Sequence, residues 1–77
     1  MMEYKILKEA ILRVLQVYET EISMESTFDL DLGADSIDMM QIMKYVENST
    51  QKKFRAVDLD KIVTVADAVR LMQEQME

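Results

Sequence analysis

The chain has 77 residues and a net charge of −6, with no Cys, His or Pro and a single Gly. This length indicates one domain spanning residues 1–77, and the missing Cys and His exclude disulfides, thiolate metal sites and the commonest general base. No apolar run approaches the roughly 20 residues of a membrane-spanning helix, and the charged N-terminus is unlike a signal peptide, so we expect a cytoplasmic protein without membrane insertion.

The scarcity of turn residues favours an all-α fold, because strands require turns at short intervals. The first predicted helix covers residues 3–18, where apolar side chains recur at helical spacing. That stripe consists of Tyr4, Leu7, Ile11, Val14 and Tyr18.

Residues 19–35 lose this period and predict a long ordered loop. The apolar residues Phe28, Leu30 and Leu32 are expected to pin it to the core. Loops of this length are uncommon in compact domains and are often functional. Residues 19–38 contain seven acidic residues and no Lys or Arg. Such a segment repels nucleic acid and attracts basic partner surfaces.

The second predicted helix covers residues 36–51. Four residues share one face at helical spacing and are expected to be buried. Ile37 and Met40 fall toward another edge beside polar residues, so we expect both to be exposed. The buried set consists of Met39, Ile42, Met43 and Val46.

Residues 52–63 are ambiguous between a single turn and a short helix. A last helix is predicted from Val65 to about Gln75, and Thr64 with Asp67 resembles a capping box at its start. The expected fold is therefore a four-helix bundle with three main helices, one short helix and a long ordered loop between the first two.

The start of the second helix carries the most specific chemical signal. Asp35 is a good N-cap, and Asp38 stands three residues later as in a capping box. Ser36 then occupies the first helical position with its hydroxyl free, beside a helix N-terminus that favours a phosphate group. The chain has no His, no Lys or Arg lies near Ser36 in the sequence, and the two neighbouring acids disfavour a serine alkoxide, so we expect another enzyme to modify it.

The spacing of the acidic residues does not fit a calcium-binding loop. Counted from Asp29, the positions that an EF-hand fills with Gly and Glu hold Ala34 and Met40. We therefore expect no metal site, and we identify no catalytic residue.

Residues 31–38, Asp-Leu-Gly-Ala-Asp-Ser-Ile-Asp, resemble the D-L-G-A-D-S-L-D signature of bacterial acyl carrier proteins. The resemblance extends to Phe28, in the family's loop-anchoring aromatic position, and to the spacing between Ser36 and Thr64. It implies that a phosphopantetheinyl transferase attaches 4′-phosphopantetheine to Ser36. It also implies a non-catalytic carrier that holds acyl groups as thioesters in a four-helix bundle, with Met39, Met43 and Met72 as plausible lining for the acyl group.

The same resemblance implies a docking surface on the second helix. Its partners are acyl-transferring and chain-elongating enzymes with basic docking surfaces, and we expect the carrier to be a monomer. The residues that match the family's docking pattern are Asp35, Ile37, Asp38, Met40 and Glu47.

Three functions remain open on the sequence alone. The leading hypothesis is a carrier of fatty-acid biosynthesis. Gln41, Lys44 and Asn48 depart from the family's acidic pattern and motivate an alternative, a dedicated carrier for polyketide synthesis, lipid modification or aminoacyl transfer. A structural adaptor with the same fold and no arm is the third hypothesis.

Overall fold

The computed structural model describes residues 2–53 and 59–75. Within these residues the chain is helical, without a named strand, which confirms the predicted all-α class. None of the helices in this described part is long and apolar enough to cross a membrane. The helices are α1 (Met2–Val14), α2 (Ser36–Thr50) and α3 (Val65–Gln75), and a short 3-10 turn, Glu19–Glu21, lies between α1 and α2.

The core lies where α1 packs against both α2 and α3. Each helix contributes apolar residues spaced three or four apart, which is the spacing that places side chains on one helical face. Burial of these side chains supplies the main stabilising term of the bundle. The buried helical residues are Leu7, Ala10 and Ile11 of α1, Ile42, Met43 and Val46 of α2, and Val65, Ala68, Val69 and Met72 of α3.

The first helix is shorter than the sequence predicts. It ends at Val14, and Leu15 follows with its N–H still donating to the Ile11 carbonyl at 2.8 Å. The β-branched Val17 and aromatic Tyr18 are weak helix formers, so little favours continuation. Tyr18 is 76% exposed, and its predicted place in the apolar stripe was wrong.

The loop between α1 and α2 is pinned as predicted by two of its three apolar residues. Phe28 is 2% exposed and Leu32 is 4% exposed, whereas Leu30 is 87% exposed. The Leu30 N–H donates to the Asp29 carboxylate at 2.7 Å, within a turn that carries this side chain outward. The prediction that Leu30 anchors the loop was wrong, since an apolar residue at a turn need not face the core.

The short helix considered within residues 52–63 falls partly on residues 54–58, which lie outside the described residues. After that gap, Leu59 is helical and its carbonyl accepts from the Ile62 N–H at 3.2 Å. The chain then leads directly into α3, so Ile62 and Val63 reach the end of the bundle where α2 begins.

Candidate functional site

The start of α2 is fixed by the predicted capping box. Asp35 is the N-cap residue, with an extended backbone at φ −95° and ψ −176°. The Asp38 N–H donates to Asp35 Oδ1 at 2.8 Å, and the Asp35 N–H donates to Asp38 Oδ2 at 3.1 Å. The two carboxylates therefore satisfy two backbone donors of the first turn and set the direction in which the helix begins.

This arrangement leaves the Ser36 hydroxyl without a structural hydrogen bond among the described residues. Ser36 is the first residue of α2 and is exposed. Among the described residues, none forms a hydrogen bond with its hydroxyl or accepts from the backbone N–H of Ser36 or Ile37. The hydroxyl and two helix-terminal donors thus lie together at the positive end of the helix dipole, a setting that stabilises a phosphate group.

A tight turn just before the cap holds Ser36 at the surface. Gly33 has a φ of +71°, a conformation that a residue with a Cβ adopts only at a cost. The turn lets the Ala34 N–H donate to the Phe28 carbonyl at 2.8 Å. Phe28 and Ala34 are both buried. The two residues before Ser36 in this turn are thus tied to the core and the cap, while Ser36 itself faces solvent.

A shallow groove runs from Ser36 toward the segment that precedes α3. The Phe28 N–H donates to the Val63 carbonyl at 3.0 Å, which brings the two segments together. The groove has a volume of about 170 Å³, and Ser36, Met39, Ile62 and Val63 are among its lining residues. Sequence reasoning missed Ile62 and Val63 as neighbours of Ser36, because a contact across this separation leaves no local pattern.

Asp67 secures the far wall of this groove. Its Oδ2 accepts from the backbone N–H groups of Val63 and Thr64, each at 3.0 Å, and the Asp67 N–H donates to Thr64 Oγ1 at 3.2 Å. The predicted capping box at α3 is therefore present. The hydrogen bonds from Thr64 and Val63 hold the pKa of the Asp67 carboxyl below its ordinary value, since they stabilise the charged form.

A larger groove lies on the exposed side of α2 and is called here the α2 groove. It has a volume of about 420 Å³ and is lined by Ile37, Met40 and Lys44, together with Met43, Glu47 and Leu59. Ile37 is 66% exposed and Met40 is 62% exposed, as predicted.

The predicted partner-binding residues thus fall into two neighbouring groups. Ile37, Met40 and Glu47 line the α2 groove, with Glu47 half-buried. Asp35 is exposed and Asp38 half-buried at the first turn of the same helix, beside Ser36.

The side chains around Ser36 limit the chemistry open to this site. Within residues 2–53 and 59–75, no group of three acidic side chains is placed to hold a metal ion. Ser36 has no basic side chain bonded to it in that same part of the chain, so nothing there activates its hydroxyl as a nucleophile. The groove nearest Ser36 lies directly beside any flexible group attached to the hydroxyl.

Residues 5–72 match the family model described as the phosphopantetheine attachment site. The chain is also similar to acyl carrier proteins of Clostridium perfringens, including those of strains SM101, ATCC 13124 and 13. Each of the three is 41% identical over 71 residues, an alignment that covers 92% of this chain and 93% of the relative.

Proposed function

This chain belongs to the phosphopantetheine-attachment family, that of the acyl carrier proteins, and on that premise we propose that Ser36 is the residue that bears its 4′-phosphopantetheine. The protein is a carrier of acyl groups and not an enzyme. The observation that supports Ser36 is its free, exposed hydroxyl at the first helical position, beside two backbone donors that no described residue uses.

The residues around Ser36 suit it to modification by a phosphopantetheinyl transferase. In that reaction the Ser36 oxygen forms a bond to the phosphorus on the pantetheine side of coenzyme A. The pyrophosphate bond breaks, 3′,5′-ADP leaves, and the serine proton passes to a base of the transferase. The N–H groups of Ser36 and Ile37 are then available to the new phosphodiester at the helix N-terminus. When bound, the arm supplies a terminal thiol that holds the acyl group as a thioester.

We place this carrier in fatty-acid biosynthesis, as a cytoplasmic monomer whose single domain spans residues 1–77. Its partners are the transferase and the acyl-transferring and chain-elongating enzymes with basic docking surfaces. Ile37 and Met40 supply exposed apolar contacts for docking, and Asp35, Asp38 and Glu47 supply negative charge along the same helix. The charge accelerates encounter with a basic surface, and the apolar contacts lengthen the life of the complex.

Intact mass spectrometry tests the attachment site directly. After treatment with a phosphopantetheinyl transferase and coenzyme A, the wild type should gain one phosphopantetheine. Ser36→Ala should gain none, whereas Ser49→Ala, which removes another exposed serine of α2, should gain one as the wild type does. A wild type that stays unmodified would favour the structural adaptor and end the carrier proposal for Ser36.

The alternative of a specialised carrier gains support from the α2 groove. Gln41 and Lys44 line it, so its polar residues are not those of a uniformly acidic docking face. The modified protein should be offered to the malonyl transferase and ketosynthase of a bacterial fatty-acid system. Loading and elongation support fatty-acid biosynthesis, and failure of both steps supports polyketide synthesis, lipid modification or aminoacyl transfer instead.

A further inference from the structure

The α2 groove contains a cation among its apolar residues. Lys44 follows Ile37 by seven residues and Met40 by four, so the three side chains share one face of the helix. All three line the groove, and Lys44 is exposed. Among the described residues, none forms an ion pair with Lys44. The groove therefore presents a positive charge that pairs with no carboxylate in the described part of the chain, although Glu47 lines the same groove.

The N-terminal turn of the same helix is negative. Asp35 and Asp38 stand at the first turn, where their carboxylates cap the backbone and have no Lys or Arg partner in the described part of the chain. Asp38 precedes Lys44 by six residues, which corresponds to roughly 9 Å along a helix axis at about 1.5 Å per residue. At 3.6 residues per turn, six residues also separate Asp38 from Lys44 by roughly a third of a turn around the axis. The two acids therefore lie beside the groove at the helix start, whereas Lys44 lies in the groove itself, with Glu47 three residues further on.

Docking onto this face places a specific demand on the partner. A protein that covers Ile37 and Met40 also removes water from the Lys44 ammonium, because all three line one groove. Removing a charge from water without a compensating partner is costly, and a like charge placed opposite it adds repulsion. A docking patch that is basic throughout therefore fits Asp35, Asp38 and Glu47 but is opposed at Lys44.

We infer that Lys44 is a specificity residue for docking, and that the enzymes served by this carrier present a carboxylate to it. Their docking patch places a basic side chain against Asp35 and Asp38, an apolar side chain in the α2 groove, and an acidic side chain against Lys44. The occupant of the groove is an acyl-transferring or chain-elongating enzyme of this charge pattern. The inference rests on the proposed function, since it concerns partners of the loaded carrier.

The test uses the full chain, loaded with phosphopantetheine and acylated, as substrate for a ketosynthase of a bacterial fatty-acid system with a basic docking patch. Three variants are compared with the wild type. Lys44→Glu reverses the charge in the groove, and Lys44→Met removes it while keeping the length of the side chain. Lys5→Glu is the matched control, because it makes the same change in net charge at an exposed position of α1.

Against this basic enzyme the wild type should be the poorer substrate. Lys44→Glu should raise kcat/KM about tenfold, mainly through KM, because it replaces repulsion with attraction at a desolvated contact. Lys44→Met should lie between the two, and Lys5→Glu should match the wild type within about twofold, since exposed charges distant from the contact are screened.

A charge swap then tests for the carboxylate itself. Each basic residue of the ketosynthase docking patch is replaced by Glu, one at a time. One such enzyme variant should favour wild-type carrier over Lys44→Glu by about tenfold and so invert the preference of the unmodified enzyme.

Several results would overturn the inference without touching the proposed function. Equal kcat/KM for the wild type and Lys44→Glu places Lys44 outside the docking contact. If no enzyme variant inverts the preference between the wild type and Lys44→Glu, the inference that the natural partner presents a carboxylate to Lys44 is wrong. If the substitutions instead change only the rate of thioester hydrolysis without enzyme, the groove holds the acyl chain rather than a partner. Mass analysis beforehand distinguishes a failure of this inference from a failure of the proposed function, because a carrier that never gains the arm contradicts the proposed function.

Discussion

The N-termini of α2 and α3 lie on either side of the groove beside Ser36 and share the same capping box. They differ in the exposure of their first residue. At α2 the Asp35–Asp38 pair leaves the first helical residue, Ser36, exposed and unbonded among the described residues. At α3 the first helical residue is Val65, which is fully buried and whose N–H donates to the Ser26 carbonyl at 2.9 Å. A capping box therefore specifies where a helix begins but not whether its first residue is available for chemistry.

The neighbouring donors reinforce this contrast. The Ala66 N–H of α3 donates to the Met24 carbonyl at 2.9 Å, so the backbone donors at the start of α3 bind the long loop. An isolated bridge between Thr27 and Thr64 extends the same contact. The start of α2 makes no comparable bond in the described part of the chain. The buried N-terminus of α3 and the exposed N-terminus of α2 thus differ in their tertiary contacts rather than in their local motif.

Moving the serine from one capping box to the other gives the largest expected effect. In the double variant Ser36→Ala/Val65→Ser, treatment with transferase and coenzyme A should add no mass, because the new serine is buried and its N–H is already bonded. Far-UV circular dichroism must show that the variant is folded. If it is not, Ser36→Ala/Ala66→Ser asks the same question at a half-buried position. A mass gain in either folded variant would show that the motif alone directs modification.

Phe28 lies between the two helix starts with its side chain buried, so Phe28→Ala should cost more stability than the loss of either capping acid. Its N–H donates to the Val63 carbonyl ahead of α3, and its carbonyl accepts from Ala34 ahead of α2. Phe28→Ala should lower the free energy of unfolding by about 3–5 kcal/mol, as expected for a buried aromatic. Leu30→Ala, at an exposed residue two positions along, should change it by less than about 0.5 kcal/mol. Urea unfolding measures both, and similar losses would contradict the described burial.

The two capping acids should differ in their contribution to stability. Asp67→Ala removes the acceptor of two backbone donors, from Val63 and Thr64, and should cost about 1–2 kcal/mol. Asp38→Ala removes the acceptor of one exposed donor, from Asp35, and should cost about 0.5–1 kcal/mol. Urea unfolding at neutral pH compares them. A larger loss for Asp38→Ala would reverse the structural assignment of the two caps.

The contribution of Asp67 should also depend on pH. The folded state lowers the pKa of this carboxyl below its ordinary value of 3.8, so its stabilising effect is complete above that value. As the pH falls below 3.8 and through the folded pKa, the effect is lost. The difference in unfolding free energy between the wild type and Asp67→Ala should therefore narrow in acid, whereas the difference between the wild type and Ser49→Ala should stay constant. If the difference in unfolding free energy between the wild type and Asp67→Ala instead widens in acid, the lowered pKa of Asp67 is contradicted.

Several features of the fold followed from residues close together in the sequence. The apolar spacing in α2 correctly identified Ile42, Met43 and Val46 as buried, whereas Met39 is only half-buried because it lines the groove beside Ser36. The exposure of Ile37 and Met40 followed from the same periodicity. The capping boxes at Asp35 and Thr64 were also predictable, because each one is made by residues three positions apart. The end of α1 was not predictable in this way, because the helix ends at Val14 although the apolar period continues beyond that residue.

The amino-acid sequence by itself therefore determined the buried face of α2 and the capping boxes of α2 and α3, since these depend on bonds and periods within about four residues. It also marked Ser36 through the family motif. Tertiary structure decided which helix start faces solvent, that Leu30 points outward, and that Val63 stands across a groove from Ser36. It also placed Lys44 in a groove completed by Leu59. The burial of a side chain depends on residues distant in the chain, and no local sequence pattern shows which of them will pack against it.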